Sequence, residues 1–414
     1  MISFGLALLG GYALALPAQS RIRVTPMGQG TASVSRMSPS PLRDAVTEAR
    51  LVQPIVMLDV AYGDRLGATI SLNAEGFTMP GGQLTAGGWG EGFVDRRHPH
   101  TYVHEMMFSA RDILGTADGT ARLAVAAGKG FAAFGTDDPM SRPMLMYPVN
   151  HHLSQILERA VAIAQLAVGP VAAEASVFNG DEPSAPGDWP LLRSDDGNWR
   201  FGDSWAVRLS GRPVQPLEVQ ASYADVHSPE HRPGAGGEAR KASASARWRD
   251  APAWGERYAM VEWARTSELD GFFVFHSVLG EAMVRRGRIG VAYRFERTER
   301  PEEERLADPF RSRRPHLENA ILGISRWTLH TIRAEYDATD PAGGHRLAPF
   351  IEITTGRVAE VSGGVFDVGA TYGSNRAGTI SVGVVLGWRS RHHRMGRYGV
   401  LAPNHGGMSP HQGH

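Results

Sequence analysis

Along most of the chain, apolar and polar residues trade places at every step. In WRFGDSWAVRLS, Trp199, Phe201, Trp205, Val207 and Leu209 hold one parity, with Asp203 the polar intruder among them. Arg200, Gly202, Ser204, Ala206, Arg208 and Ser210 hold the other. In KASASARWR, Ala242, Ala244, Ala246 and Trp248 oppose Lys241, Ser243, Ser245, Arg247 and Arg249. In RIGVAYRFE, Ile289, Val291, Tyr293 and Phe295 oppose Arg288, Gly290, Ala292, Arg294 and Glu296. GTISVGVVLGWR sets Ile380, Val382, Val384, Leu386 and Trp388 against Thr379, Ser381, Gly383, Gly387 and Arg389. Successive side chains of a strand point to opposite faces, so each segment predicts a strand with one apolar and one polar face.

Soluble sandwiches alternate too, and length separates the two cases. The strands read as about 10 to 13 residues, against about 5 or 6 in soluble sheets and about 9 to 11 for a tilted strand that crosses a bilayer. Aromatics on the apolar parity (Trp199, Tyr223, Trp248, Trp263, Trp388) fall near strand ends, where an interfacial girdle would hold them. Short turns at 63–67, 115–119, 168–170, 211–216, 250–255 and 285–288 alternate with longer polar connections at 79–100, 130–157, 180–198, 227–238, 299–317 and 358–376; the connection at 267–270 is brief. This asymmetry predicts an all-β fold, a transmembrane antiparallel up-and-down β-barrel with both termini on the short-turn side. About 15 strands follow Ile55, and an outgoing strand in GTASVSRM (30–37) would make 16. Fourteen is the alternative, because RWTLHTIRAEYDATDPAGGHRLAPF is hard to divide.

Composition adds limits. The 414 residues contain no cysteine, which excludes disulfides, thiolate metal sites and cysteine nucleophiles. A net charge of zero gives no global attraction to nucleic acid. The apolar N-terminus reads as a signal peptide over residues 1–18, although it lacks a basic n-region. The expected organisation continues with an N-terminal segment, 19–54, holding the first strand. The barrel follows at 55–390, and a disordered His-rich periplasmic tail at 391–414.

Several motifs sharpen this picture: VDRRHPHTYVHE (94–105), PVNHHLSQ (148–155), GPVAAEASVFNGDEP (169–183) and DSWAVRLSGRPVQPLEVQASYADVHSPE (203–230). Their order resembles an uncharacterised family of bacterial outer-membrane β-barrel proteins that carries a D-R-[QR]-H-P-H-D segment and a later His-His pair. Thr101 stands where that family has Asp, and its first strand is weakly matched here. The resemblance implies fold and outer-membrane location, and no activity.

The candidate chemistry is histidine and arginine. His98, His100, His151 and His152 fall on two long connections separated by one hairpin, so they can meet over the barrel mouth. With Met140, Met144 and Met146 they could bind copper or zinc. The alternative is that these histidines, with Arg96 and Arg97, fold the loops through hydrogen bonds and ion pairs. In the strand TYVHEMMFSARD, Tyr102, His104, Met106 and Phe108 are expected to face lipid, and Glu105, Ser109 and Arg111 the lumen. Glu105 beside His100 could act in catalysis, but no nucleophile motif accompanies them, so no enzyme is expected. The polar parity assigns Glu105, Arg200, Arg208, Glu218, Lys241, Arg247, Arg249, Glu262, Arg288, Arg294 and Glu296 to the lumen wall. Cations outnumber acids in that set, which favours anions if the lumen conducts. Three expectations follow: a passive channel or transporter for small, anionic solutes; a copper- or zinc-handling barrel; or a plugged structural barrel. No cofactor is required, and the expected partners are outer-membrane lipid and small solutes.

Overall fold

The structure is a computed structural model. It describes residues 21–39, 45–78, 100–115, 119–145, 148–181, 199–227, 238–303, 321–339, 344–389 and 394–399, with scattered positions between 183 and 197. The alternating segments form sixteen strands: β1 Ile22–Met37, β2 Val46–Tyr62, β3 Leu66–Asn73, β4 Val103–Leu114, β5 Ala121–Gly130, β6 Arg159–Val168, β7 Val171–Phe178 and β8 Ser204–Val214, then β9 Leu217–Val226, β10 Ala239–Asp250, β11 Glu256–Glu268, β12 Phe273–Arg286, β13 Ile289–Glu303, β14 Ile321–Tyr336, β15 His345–Gly364 and β16 Arg376–Trp388. Each pairs antiparallel with its sequence neighbours, and β1 closes the barrel against β16 from Gln29↔Gly387 to Met37↔Thr379. Sixteen is therefore the count; the ambiguous segment divides into β14 and β15 around residues 337–344.

Two boundaries differ from expectation. The barrel begins at Ile22 rather than Ile55. β1 is crowded with Pro26, Gly28, Gly30 and hydroxyl residues, which blur its alternation, and a bulge shifts its register against β2 between Gln29 and Thr31. The C-terminal tail is not wholly outside the fold, since residues 395–399 lie buried within the barrel and Arg394 is half-buried beside them.

The barrel is inside out relative to a soluble domain. Val261 is 60% exposed, Ile332 56% and Leu209 55%, whereas Arg294 is 0% exposed, Glu352 1% and Arg208 3%. Apolar side chains on the outer face and ionised ones within suit a wall solvated by lipid. Water cannot satisfy backbone groups in hydrocarbon, and closure leaves no edge strand exposed there.

The interior is occupied. The connection from β5 to β6 turns inward and crosses the lumen in its described residues, 131–145 and 148–158. Its backbone donors are received in succession by wall side chains: Ala133 N by Ser176 Oγ (3.0 Å) and Gly135 N by Ser222 Oγ (2.9 Å). Leu145 N donates to Glu352 and Val149 N to Glu296, both at 2.8 Å. A buried loop must find partners for such groups, and here β7, β9, β13 and β15 supply them. Phe131, Ala132, Ala133, Phe134 and Met140 join an interior apolar cluster that also holds Met395 and Tyr398.

Candidate functional site

The polar parity of the strands, loop 131–158 and the segment 394–399 converge on one charged constriction. Arg394 anchors it. Its guanidinium donates from Nε (2.7 Å) and Nη2 (2.7 Å) to Asp137, and from Nη1 (2.9 Å) and Nη2 (2.8 Å) to Glu218. Arg397 adds Nε to Asp137 (3.1 Å) and Nη2 to Gln220 (2.5 Å), and Arg247 from β10 also binds Asp137. Burial alone would push Asp137 up, but the cations of Arg394, Arg247 and Arg397 hold its carboxyl well below the usual range. Such short, two-pronged pairs are the strong members of their class. Tyr398 completes the seat, donating to Glu105 Oε1 (2.6 Å) while its oxygen accepts from Phe131 N (3.1 Å).

The predicted lumen residues divide by location. Glu105 bonds Ser71 and Tyr398 (3.0 and 2.6 Å). Arg208 pairs with Glu174, and Arg294 with Glu281 (2.5 and 2.9 Å). Arg249 pairs with Glu256 (2.7 Å). Glu262 takes Thr136, Asn150 and Arg142, and Glu296 takes Val149 N. Lys241 is buried on β10. Arg200 is buried too, but in the connection ahead of β8, where it pairs with Asp181 (3.0 Å) and Asp203 (3.3 Å). Arg288 differs: it sits in the β12–β13 turn, exposed, with Nη1 3.5 Å from Tyr336 Oη. Parity assigned it inward, but the strand ends two residues earlier, so its side chain passes beyond the wall.

His104 also differs. The register of β4 against β3 shifts between Glu105 and Val103, so His104 falls in a bulge and turns inward beside Glu105. A bulge places two residues opposite one and re-aims a side chain that strict alternation would send to the other face. His104 Nδ1 meets Glu158 at 2.8 Å, and its Nε2 lies 3.9 Å from Asp138 Oδ2. His100 stands edge-on to it, ring centroids 5.0 Å apart, with Nδ1 2.8 Å from Glu75 of the short helix Glu75–Thr78. Burial alone would lower His100, but the Glu75 bond raises it to about 9.

The four histidines proposed for metal are thus placed only in part. His98 and the His152 side chain lie outside the described residues. His151 Nδ1 approaches the Pro148 carbonyl (3.2 Å). Among the described residues no group of three or more His, Asp or Glu could hold a metal ion.

Several charged partners escaped sequence reasoning. Glu281 and Arg285 share the inward parity of β12 with Ser277 and Leu279, so alternation could have found them. Asp137, Arg142 and Arg394 carried no such signal, because their positions depend on where a loop and a tail fold.

No protein-family model matches the chain, and no curated protein does. Solved structures are similar. The anion-selective porin from Comamonas acidovorans is 9% identical, with 89% of this chain and 100% of that chain covered, at a TM-score of 0.51. The fold is that of a porin barrel. OmpT, an outer membrane protein of Vibrio cholerae, in its in-vitro folded trimer form, is 10% identical over 89% of this chain and 99% of that chain, at a TM-score of 0.48. OccK3 of Pseudomonas aeruginosa is 11% identical over 89% and 95%, at 0.45.

Proposed function

We propose that this barrel resides in the bacterial outer membrane and is a passive, non-enzymatic channel for small anionic solutes. Loop 131–158 and the segment 394–399 form its constriction. The observation that carries the reading is the interior itself. A sixteen-strand barrel is wide enough for an aqueous path, and arginines from the wall, loop and tail meet there. Two polar cavities lie between these elements. One is lined by Arg142, Arg247, Arg249, Arg394 and Arg397 against Asp137 and Glu218. The other is lined by Arg142, Arg249, Arg285, Arg333 and Arg346 against Glu256 and Glu335. An excess of one sign around a path favours ions of the opposite sign. The likeness to an anion-selective porin supports the same reading.

In this orientation the short-turn end faces the periplasm and the long connections face outward. The test is single-channel conductance of the refolded protein in a planar bilayer under a salt gradient, beside a chain ending at Arg389. Both should conduct with a reversal potential displaced toward the anion, and the shortened chain should conduct several-fold more. Cation preference would remove the anionic assignment. Silence from both folded forms would remove the channel.

A further inference from the structure

The second cavity contains an unresolved polar requirement. Nε and Nη1 of Arg285 and Nη1 of Arg142 are buried and have no hydrogen-bond partner among the described residues. Their side chains are 8% and 2% exposed. The nearest carboxylate to Arg285 Nε is Glu256, at 3.9 Å. Arg285 Nη2 binds Glu335, which also accepts from Arg333 Nε (3.1 Å) and Arg346 Nη2 (2.5 Å). Arg142 Nη2 reaches Glu262 at 3.5 Å, and its Nε lies 3.9 Å from Glu281. A buried N–H left without a partner is costly, and more so on a charged group, so these donors call for an acceptor.

The space suits one. The cavity offers about 60 Å³, room for about four waters at roughly 15 Å³ each, or for one compact oxyanion. Five arginines and two glutamates line it, while Glu262, Glu281 and Glu352 pair with Arg142 and Arg333 from behind the lining, so guanidinium donors outnumber acceptors at the cavity surface. The cavity is reachable: Arg249 and Arg346, toward the short-turn end, are 33% and 24% exposed in their side chains. Guanidinium forks match the paired oxygens of such anions.

We propose that this cavity is a binding site for a small tetrahedral oxyanion, the phosphate or sulfate class, held by Arg142 and Arg285 and entered from the short-turn end. The site names a solute class for the channel and rests on that reading only where the bound ion is taken as cargo.

The experiment is calorimetric titration of inorganic phosphate into the folded full-length barrel in detergent, at constant ionic strength set with chloride. Saturable binding is expected, with Arg285→Gln and Arg142→Gln each weakening it at least about tenfold, about 1.4 kcal/mol. Arg257→Gln is the control: it removes one positive charge from a pair with Asp250 that the cavity does not touch, and phosphate affinity should hold. Absence of saturable binding to the wild-type barrel would overturn the site, whether or not any variant folds. Equal weakening by Arg257→Gln would overturn it as well. Glucose 6-phosphate, titrated in parallel, separates the sources: binding of phosphate alone assigns the free ion, and equal binding of both assigns the terminal group of a phosphomonoester. Phosphate binding in a barrel that never conducts would keep the site and remove the channel. Anion conductance without phosphate binding would do the reverse.

Discussion

His100 and Glu75 show how one buried pair sets a pH window for a loop. Glu158 and Asp138 face the imidazole as well, and their charges add to its elevation. Its ordinary value is 6.5 and its folded value about 9. The stability it contributes is therefore full below 6.5 and is lost as pH rises through 9. Burial alone would raise Glu75, but the bond and charge of His100, with the hydrogen bonds from Gln53 and Asn73, together hold it below its ordinary 4.5. Its share is present above 4.5 and is lost as pH falls through the depressed value. The thermal midpoint of the wild-type barrel should therefore exceed that of His100→Gln most between about pH 4.5 and 6.5. The gap should narrow toward pH 9.5, and a gap constant across that range would refute the pairing. The sequence placed His100 beside a strand and near a loop end, but not on Glu75. The partner lies 25 residues upstream, beyond the reach of a local pattern. The same holds for Arg394 and Asp137, which meet across 257 residues. Period two states which way Arg208 points; it cannot state that Glu174 waits there.

At the scale of elements, alternation was enough for the strands and failed where geometry departs from it. The bulge at His104 inverts one residue and leaves Met107 inside and Phe108 outside, as alternation from Glu105 requires. The inward loop is harder still, since long polar connections read alike whether they fold in or out. Its course depends on points such as Gly135, whose φ is +66°. A side chain there would also collide with the carbonyl oxygen of Ser154 on the returning limb. Non-glycine residues pay roughly 1–2 kcal/mol for that backbone region, and the collision adds to it. Gly135→Val should therefore lift the base of the loop from Ser222 and raise conductance while leaving the barrel folded. Hydrogen exchange across 131–158 is the companion measurement. Unchanged protection and conductance would show that the loop does not depend on this close approach.

For the whole molecule, the governing fact is that the two faces of the wall differ, apolar outside and charged within. The buried charge network would be costly in a soluble protein, where ion pairs seldom recover the loss of hydration. In the membrane setting proposed above it would line a narrowed lumen, and lipid would cover the apolar surface outside. This predicts opposite penalties on neighbouring residues of β11. Val261 points outward and Glu262 inward, where it meets Arg142. Val261→Arg places a charge against hydrocarbon near mid-strand, which should cost about 2–4 kcal/mol in a bilayer. It should leave the interior, and so ion selectivity, unchanged. Glu262→Gln leaves the lipid face intact and removes a carboxylate from the constriction, so it should shift the reversal potential further toward anions. Folding equilibria in lipid vesicles and reversal potentials for the two variants test the pair together. If Val261→Arg is neutral in vesicles, the exposed apolar face is not solvated by lipid, and the membrane orientation of the barrel fails with it.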